Sequence, residues 1–325
     1  MTAPLLDIII PAYKARFLAR TLNSFSVQSD RRFSLFVFDD ASPENIQEVT
    51  DSCRNGLPIH YHRFEENLGR HHLALHWNRC VERTTAPWVW LFSDDDLADP
   101  GCVASFYRLL ESGIDADVLR FEAALIGEHD QCLRSLPPQP DRETSAEFLL
   151  QRFLRKRWSF VPDHIFSRRA FLREGGFVDF PLAWHSDDAT WAAFARQTGF
   201  AAVRGAKVHW RLSSENISGR GGSGNSREKA EASFQFYEWV TRFLAGSREN
   251  AAVAARKRLP RYLDGQLFIS GAPAHREHLP WLVQRYIALR RCDRLRAWLL
   301  MGVLGATRLI YDGITRLRTL SPPGR

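Results

Sequence analysis

The chain has 325 residues, 45% apolar and 25% charged, with a formal net charge of +7. These proportions suit a large folded core and exclude a disordered, collagen-like or disulfide-scaffold protein. Five scattered cysteines without paired metal spacing fit a reducing cytoplasm. No apolar run reaches the roughly 18 residues of a membrane span, and the N-terminus lacks a charged, apolar leader.

The first predicted element is a strand over Leu5–Ile10, a β-branched run stopped by Pro11, with Ala12, Tyr13 and Lys14 as a turn. A helical pattern begins near Arg16. A second strand, Phe33–Phe38, ends in Asp39 and Asp40. Ser42 then reads as an N-cap and Pro43 as a first helical residue, with a helix from Glu44 to about Cys53. A third strand, Ile59–Phe64, precedes Asn67, Leu68, Gly69 and Arg70, and a helix runs from about His71 to Val81. The fourth strand, Trp88–Phe92, ends in Ser93, Asp94, Asp95 and Asp96.

Strands alternating with helices imply a parallel sheet with right-handed crossovers, and such sheets bind ligands at the carboxyl ends of their strands. Tyr13, Asp39, Asp40, Asn67, Arg70 and Asp94 to Asp96 all lie just past a strand end, so four polar clusters converge on one rim. Three adjacent acids repel one another unless a cation lies between them, and a hard divalent ion carrying phosphates is the natural one. A solvated acidic turn is the alternative for the triplet taken alone.

The succession Pro11-Ala12-Tyr13, Asp39-Asp40-Ala41-Ser42, Asn67-Leu68-Gly69 with Asn78, and Ser93-Asp94-Asp95-Asp96 resembles the motifs of family 2 glycosyltransferases with the GT-A fold, over roughly residues 5 to 215. The resemblance implies an α/β fold, a Rossmann-like, mainly parallel sheet flanked by helices. It implies that Pro11, Ala12 and Tyr13 wall the nucleotide base and that Asp40 accepts a hydrogen bond from it, with Asp39 in support or merely ending its strand. Arg70 suits the diphosphate, since a guanidinium forks onto phosphate oxygens. The metal motif can be read with Asp95 as its second acid or as Asp94-x-Asp96; Asp95 is expected as the most direct ligand of Mn2+ or Mg2+, with Asp96 beside it and Asp94 near the ribose or a metal-bound water. The metal would neutralise the departing diphosphate.

In the second half, Leu172–Phe177 resembles the family segment before the catalytic acid, and Asp187 and Asp188 open a helix to about Gln197. The resemblance makes Asp188 the general base and Asp187 its acidic neighbour, giving inversion at the anomeric carbon. Two adjacent carboxylates raise one another's proton affinity, which suits a base near neutral pH, although acids in a first helical turn also serve the helix dipole. His185 reads as structural. A strand over Lys207–Leu212 carries His209, which reads as a core residue rather than a metal ligand. The glycine-rich run 219–225 is a connector or a lid, with Arg220 able to reach phosphate.

The boundary is placed between a transferase domain, 1–220, and a helical basic region, 221–325. Residues 226–325 hold 18 Lys and Arg against 8 Asp and Glu, which leaves residues 1–225 at −3. Arginines interleaved with Trp298, Leu299, Met301, Ile310 and Tyr311 suit either the surface of an anionic membrane or a helix packed on the core. No nucleic-acid module accompanies the charge, so nucleic acid is not an expected partner.

The expected function is a metal-dependent inverting hexosyl transfer from a nucleotide-diphosphate sugar, commonly a UDP-sugar, to a glycan or lipid-linked hydroxyl in bacterial surface polysaccharide assembly. Its place would be the cytoplasm or the inner face of the cell membrane. The alternatives are a nucleotidyltransferase of similar fold, disfavoured because Pro11–Arg16 holds no glycine, and a non-catalytic sugar-binding or scaffold relative.

Overall fold

The computed structural model describes residues 4–54, 56–213, 225–290 and 293–320, the last with side chains to Asp312. Arg220 and the rest of the glycine-rich run up to residue 224 lie outside the described residues, as do Arg291 and Cys292. The described chain divides into two compact units, residues 4–179 with 186–213, and residues 180–185 with 225–320.

The first unit follows the expected alternation. Strand β1 (Leu6–Ala12) is followed by α1 (Leu18–Ser26), β2 (Ser34–Asp39), α2 (Ile46–Ser52), β3 (Ile59–Arg63), α3 (Leu73–Val81) and β4 (Trp88–Leu91). Then come β5 (Leu97–Ala98), α4 (Cys102–Glu111), β6 (Val118–Ile126), β7 (Cys132–Ser135), β8 (Arg142–Glu143), α5 (Ser145–Phe153), β9 (His164–Ser167), α6 (Arg168–Glu174), α7 (Ser186–Phe194) and β10 (Phe200–Arg211). The sheet order is β3-β2-β1-β4-β9-β6-β10-β5, with β7 on β6 and β8 on β10. Strands β1 to β4 are parallel neighbours, as are β6 and β10, while β9 runs antiparallel between β4 and β6. Two reversals of direction cancel, so the carboxyl ends of β1, β2, β3, β4, β6 and β10 share one rim.

Pro11 does not stop β1; it pairs with Phe38 inside the strand. The ladder to β4 closes at Ile9, whose carbonyl accepts from the Phe92 N–H at 2.8 Å. The missing N–H of Pro11 therefore faces the side where no strand continues, a position that tolerates proline. The cap of α2 also differs from expectation. Asn45 accepts from the Glu48 N–H, whereas the Ser42 hydroxyl donates to the Tyr13 carbonyl at 2.6 Å and binds β2's end to β1's.

The core between sheet and helices is aromatic. Trp90, Phe25, Phe92 and Phe121 are fully buried, and Phe25 meets Trp90 and Phe92 edge-on at 5.6 and 4.9 Å. Each such side chain contributes about 1.5–3 kcal/mol by burial alone.

The second unit consists of the turn Pro181–Ala183 and the helices α8 (Ser226–Phe243), α9 (Asn250–Ser270), α10 (Leu279–Arg290) and α11 (Arg294–Leu320). Phe234, Leu263, Leu267, Leu282 and Met301 form its core. His185 is structural here, buried, stacked on Phe236 at 4.6 Å, with Nε2 3.3 Å from the Ser233 hydroxyl.

Candidate active site

The rim is tied together by its own carboxylates. Pairing of Ala12 with Asp39 and of Asp39 with Arg63 sets the ends of β1, β2 and β3 side by side. Asp39, expected among the donor contacts, is fully buried. Its oxygens accept from the Ser42 N–H at 2.8 Å, the Tyr61 hydroxyl at 2.7 Å and Arg63 at 2.5 Å, so it is a strut beneath the rim. Ala12 is likewise a core residue and offers no side chain to a ligand. Pro11 is half-buried, and Tyr13 is open to solvent.

Asp40 is buried too. The Leu68 N–H reaches its Oδ1 at 3.1 Å and the Gly69 N–H its Oδ2 at 2.8 Å, while Arg79 donates from the other side. Burial raises its proton affinity, and those donors oppose the rise. The nearby His76 imidazole is pushed down to about 3 by burial and the Arg79 charge, so it stays neutral. Asp40 thus holds the 67–69 turn. Asn67 closes that turn by accepting from the Arg70 N–H at 2.9 Å, and the Arg70 side chain stands in solvent.

Gly69 is required here because a Cβ at this position would lie 2.6 Å from Asp40 Oδ2. Gly69→Ala is expected to displace the carboxylate and lower stability by about 1–3 kcal/mol, measurable as a fall in the denaturant midpoint at unchanged slope. Asn78 explains the Gly175-Gly176-Phe177 segment in the same way. Its Oδ1 accepts from the Phe177 N–H at 2.7 Å, and a Cβ on Gly176, at φ +93°, would fall 2.8 Å from that oxygen.

The three acids after β4 separate into three roles. Asp94 Oδ2 accepts from both the Tyr13 and Lys14 N–H groups at 2.9 Å, which pins the turn after β1 to the end of β4. Asp96 is fully buried, and its Oδ1 accepts from the Arg211 N–H at 2.7 Å, while Oδ2 is enclosed without a hydrogen bond. Asp96, expected beside the metal, therefore braces the turn from behind. Asp95 lies between them, half-buried, and among the described residues no other residue donates to its carboxylate. Burial and the Asp94 charge raise it to about 7, against the pull of Lys14 and Arg211. Burial raises Asp94 as well, and burial with the Asp95 charge raises Asp96 strongly.

Arg211 is the site residue that the sequence reading passed over. Its buried guanidinium donates to the Asp95 carbonyl at 2.6 Å and the Gly127 carbonyl at 2.8 Å, and lies 4.5 Å from the Phe17 ring. It ends β10 on the same rim, so the strand-end rule that found the first four clusters reaches it once β10 is counted parallel. His209, expected in the core, is half-buried instead, with Nε2 2.7 Å from Asp99 Oδ1.

The acids of α7 also lie on this rim. Because β9 is antiparallel to β4 with Trp90 opposite Ile165, the chain before β9 sits at the carboxyl end of β4, where the Trp90 indole donates to the Pro162 carbonyl at 2.7 Å. Asp163, in that segment, adds its charge to the field at Asp187. Asp188, expected as the base, is buried and held in a two-pronged ion pair by Arg152 at 2.8 Å. Asp187 is the half-exposed member of the pair; burial and the Asp188 charge lift it to about 7.

Aromatic side chains line the same stretch of rim. Phe160 stacks on Trp210 at 4.6 Å, and Trp158 lies next to Phe160 at 6.2 Å with 41% of its surface exposed. Trp210 ends this row next to Arg211 in the chain, and Phe160, in its middle, donates its N–H to Asp163 Oδ1 at 3.2 Å.

Among the described residues no three His, Cys, Asp or Glu side chains form a ready-made metal cage. The donor set nevertheless fits a hard divalent ion of the kind bound by one or two carboxylates together with substrate phosphates, with Asp95 as the open oxygen ligand.

A family model described as glycosyl transferase family 2 matches residues 7–176. No curated protein matches the sequence. Among solved structures, S. aureus TarS 1–349 in complex with UDP-GlcNAc is similar at TM-score 0.67 and 14% identity, over 93% of this chain and 88% of that one. TarS 1–349 in complex with UDP is similar at TM-score 0.64 and 16% identity, over 93% and 88%. The mannosyltransferase PcManGT from Pyrobaculum calidifontis, in complex with GDP-Man and Mn2+, is similar at 0.54 and 13%, over 95% and 87%. At these identities the three structures speak to the fold, whose parallel strand core and flanking helices they share.

Proposed function

The chain belongs to glycosyl transferase family 2 and is a glycosyltransferase, and we propose that it transfers a sugar from a nucleotide-diphosphate donor to a hydroxyl acceptor with inversion, assisted by Mn2+ or Mg2+. The observation that carries this reading is the position of the half-buried Asp95 carboxylate at the rim, between Asp94, which holds the Tyr13 and Lys14 amides, and Asp96, which holds the Arg211 amide. The complexes of the similar structures with UDP, UDP-GlcNAc and GDP-Man support a nucleotide sugar, with a uridine donor preferred.

In this reading Tyr13 and the 67–69 turn wall the nucleotide, with Asp40 and Asp39 as the struts that place them. Arg70 and Lys14 meet the diphosphate. Asp95 holds the metal, Asp94 fixes the turn beside the ribose, and Asp96 with Arg211 sets the direction of Asp95. The metal, when bound, neutralises charge on the departing diphosphate. Asp187 takes the acceptor proton, and Asp188, locked by Arg152, keeps Asp187 basic by its charge. This exchanges the roles that the resemblance implied for the pair.

The row Trp158, Phe160 and Trp210, reached through neighbours of Asp95 and Asp187, is placed to stack against the apolar face of a pyranose, which favours a glycan-bearing acceptor. Surface polysaccharide or lipid-linked glycan assembly supplies such acceptors. Among the described residues no helix is long and apolar enough to cross a membrane, so contact with an anionic membrane would be peripheral.

Thermal shift and donor hydrolysis against a panel of nucleotide sugars, with Mn2+, with Mg2+ and with chelator, test the reading; no metal-dependent shift for any nucleotide sinks it. Trp158→Ala is expected to raise the acceptor KM about tenfold with donor hydrolysis unchanged, as fits the loss of an interaction made equally in ground and transition states.

A further inference from the structure

The expected alternatives for the basic tail were a membrane-facing helix and a helix packed on the core; one face of α11 packs against the other helices of its own unit. Ala297 and Met301 are buried, and Gly305 approaches the Pro273 carbonyl so closely that a Cβ there would lie 2.3 Å from it. Helical spacing puts these three on one side. Trp298, Leu300 and Leu304 are partly buried against the same cluster. This contact fixes the rotation of α11 about its axis.

The opposite side is apolar as well. Leu295 is 70% exposed, Leu299 and Val303 62%, Leu309 60% and Ile310 64%. At about 100° per residue, 295, 299, 303 and 310 fall within one quadrant, filled in by the exposed Gly302 and Ala306. No acidic side chain falls in that stripe between Leu295 and Ile310, and the exposed Arg296 borders it. A stripe of this length is far more apolar than a solvated helix face requires.

We infer that this face of α11 lies on an anionic lipid surface, with Leu295, Leu299, Val303 and Ile310 entering the headgroup boundary. The choice of lipid over a second copy of the chain follows from charge. Residues 226–325 carry a net +10, which repels a copy of itself and attracts acidic headgroups. A lone apolar stripe binds lipid weakly, and basic residues around it supply the second attraction that stable peripheral binding needs. The inference gives the proposed membrane contact a specific face, yet it does not depend on transferase chemistry.

The full chain is spun down with vesicles of phosphatidylcholine alone and with vesicles containing about 30% phosphatidylglycerol. The expected result is binding to the mixed vesicles, weakened by about 0.5 M salt, and a loss of about tenfold or more in the paired variant Leu299→Asp with Val303→Asp. Both positions are exposed, so the melting temperature and donor hydrolysis of the variant should match the parent, which separates this test from the transferase reading. Failure to bind either vesicle, equal binding to both, or full binding by the variant would overturn the inference. So would a parent dimer in solution that the variant converts to monomer, since that identifies a second copy as the occupant.

Discussion

Asp95→Ala is expected to abolish metal-dependent turnover of the nucleotide sugar, by about a thousandfold or more, because it removes the open carboxylate through which a divalent ion would be held. The same substitution should leave the fold intact or slightly more stable at neutral pH. Asp95 titrates near 7 in the folded chain, above the ordinary carboxylate range. A group raised in this way favours folding fully at acid pH, and the contribution is lost as pH rises through about 7. Above that value the ionised carboxylate is a burden that a bound cation would relieve. Mn2+ should therefore raise the melting temperature of the parent at about pH 8 far more than at about pH 5, and should do little for Asp95→Ala at either. Equal metal shifts in parent and variant would place the ion elsewhere.

Asp187→Asn should lower kcat by about a hundred- to ten-thousandfold with nucleotide binding retained, the range typical for removing a general base. With Asp187 raised to about 7, parent activity should climb as pH rises through that value, since the base acts in its ionised form. At saturating Mn2+, which offsets the weaker metal binding by Asp95 at low pH, the variant's residual activity should lose that limb. Asp188→Asn acts differently. It breaks the buried ion pair with Arg152 at 2.8 Å and should show first as a loss of stability. If Asp188→Asn instead removed turnover with an unchanged melting temperature, while Asp187→Asn kept its activity, the two roles would have to be exchanged.

These two expectations differ in how far the sequence anticipated them. The acid triplet was legible because an apolar strand ending in carboxylates is a local pattern, and the alternation of strands and helices then placed it on a rim. What each carboxylate does there was not legible. Asp39 and Asp40 stand at a strand end in the sequence just as Asp94 and Asp95 do. Their oxygens are taken by Tyr61 and Arg63, and by the Leu68 and Gly69 amides with Arg79, partners that lie 22 to 39 residues away. Asp96 is braced by the Arg211 amide across 115 residues.

By itself, then, the sequence determined the fold class, the first four strands and their common rim, and the acids that stand on it, because periodicity and strand-end position are properties of short windows. Only the tertiary structure decided which of those acids stay open and which are struts. It inserted β9 antiparallel beside β4, which brings Asp163 and Asp187 to the rim, and it turned α11 so that one apolar face is packed and the other is left outward. The reason is the same in each case. Whether a carboxylate is free, or a leucine buried, depends on groups distant in the chain that arrive only when the sheet and the helices have closed.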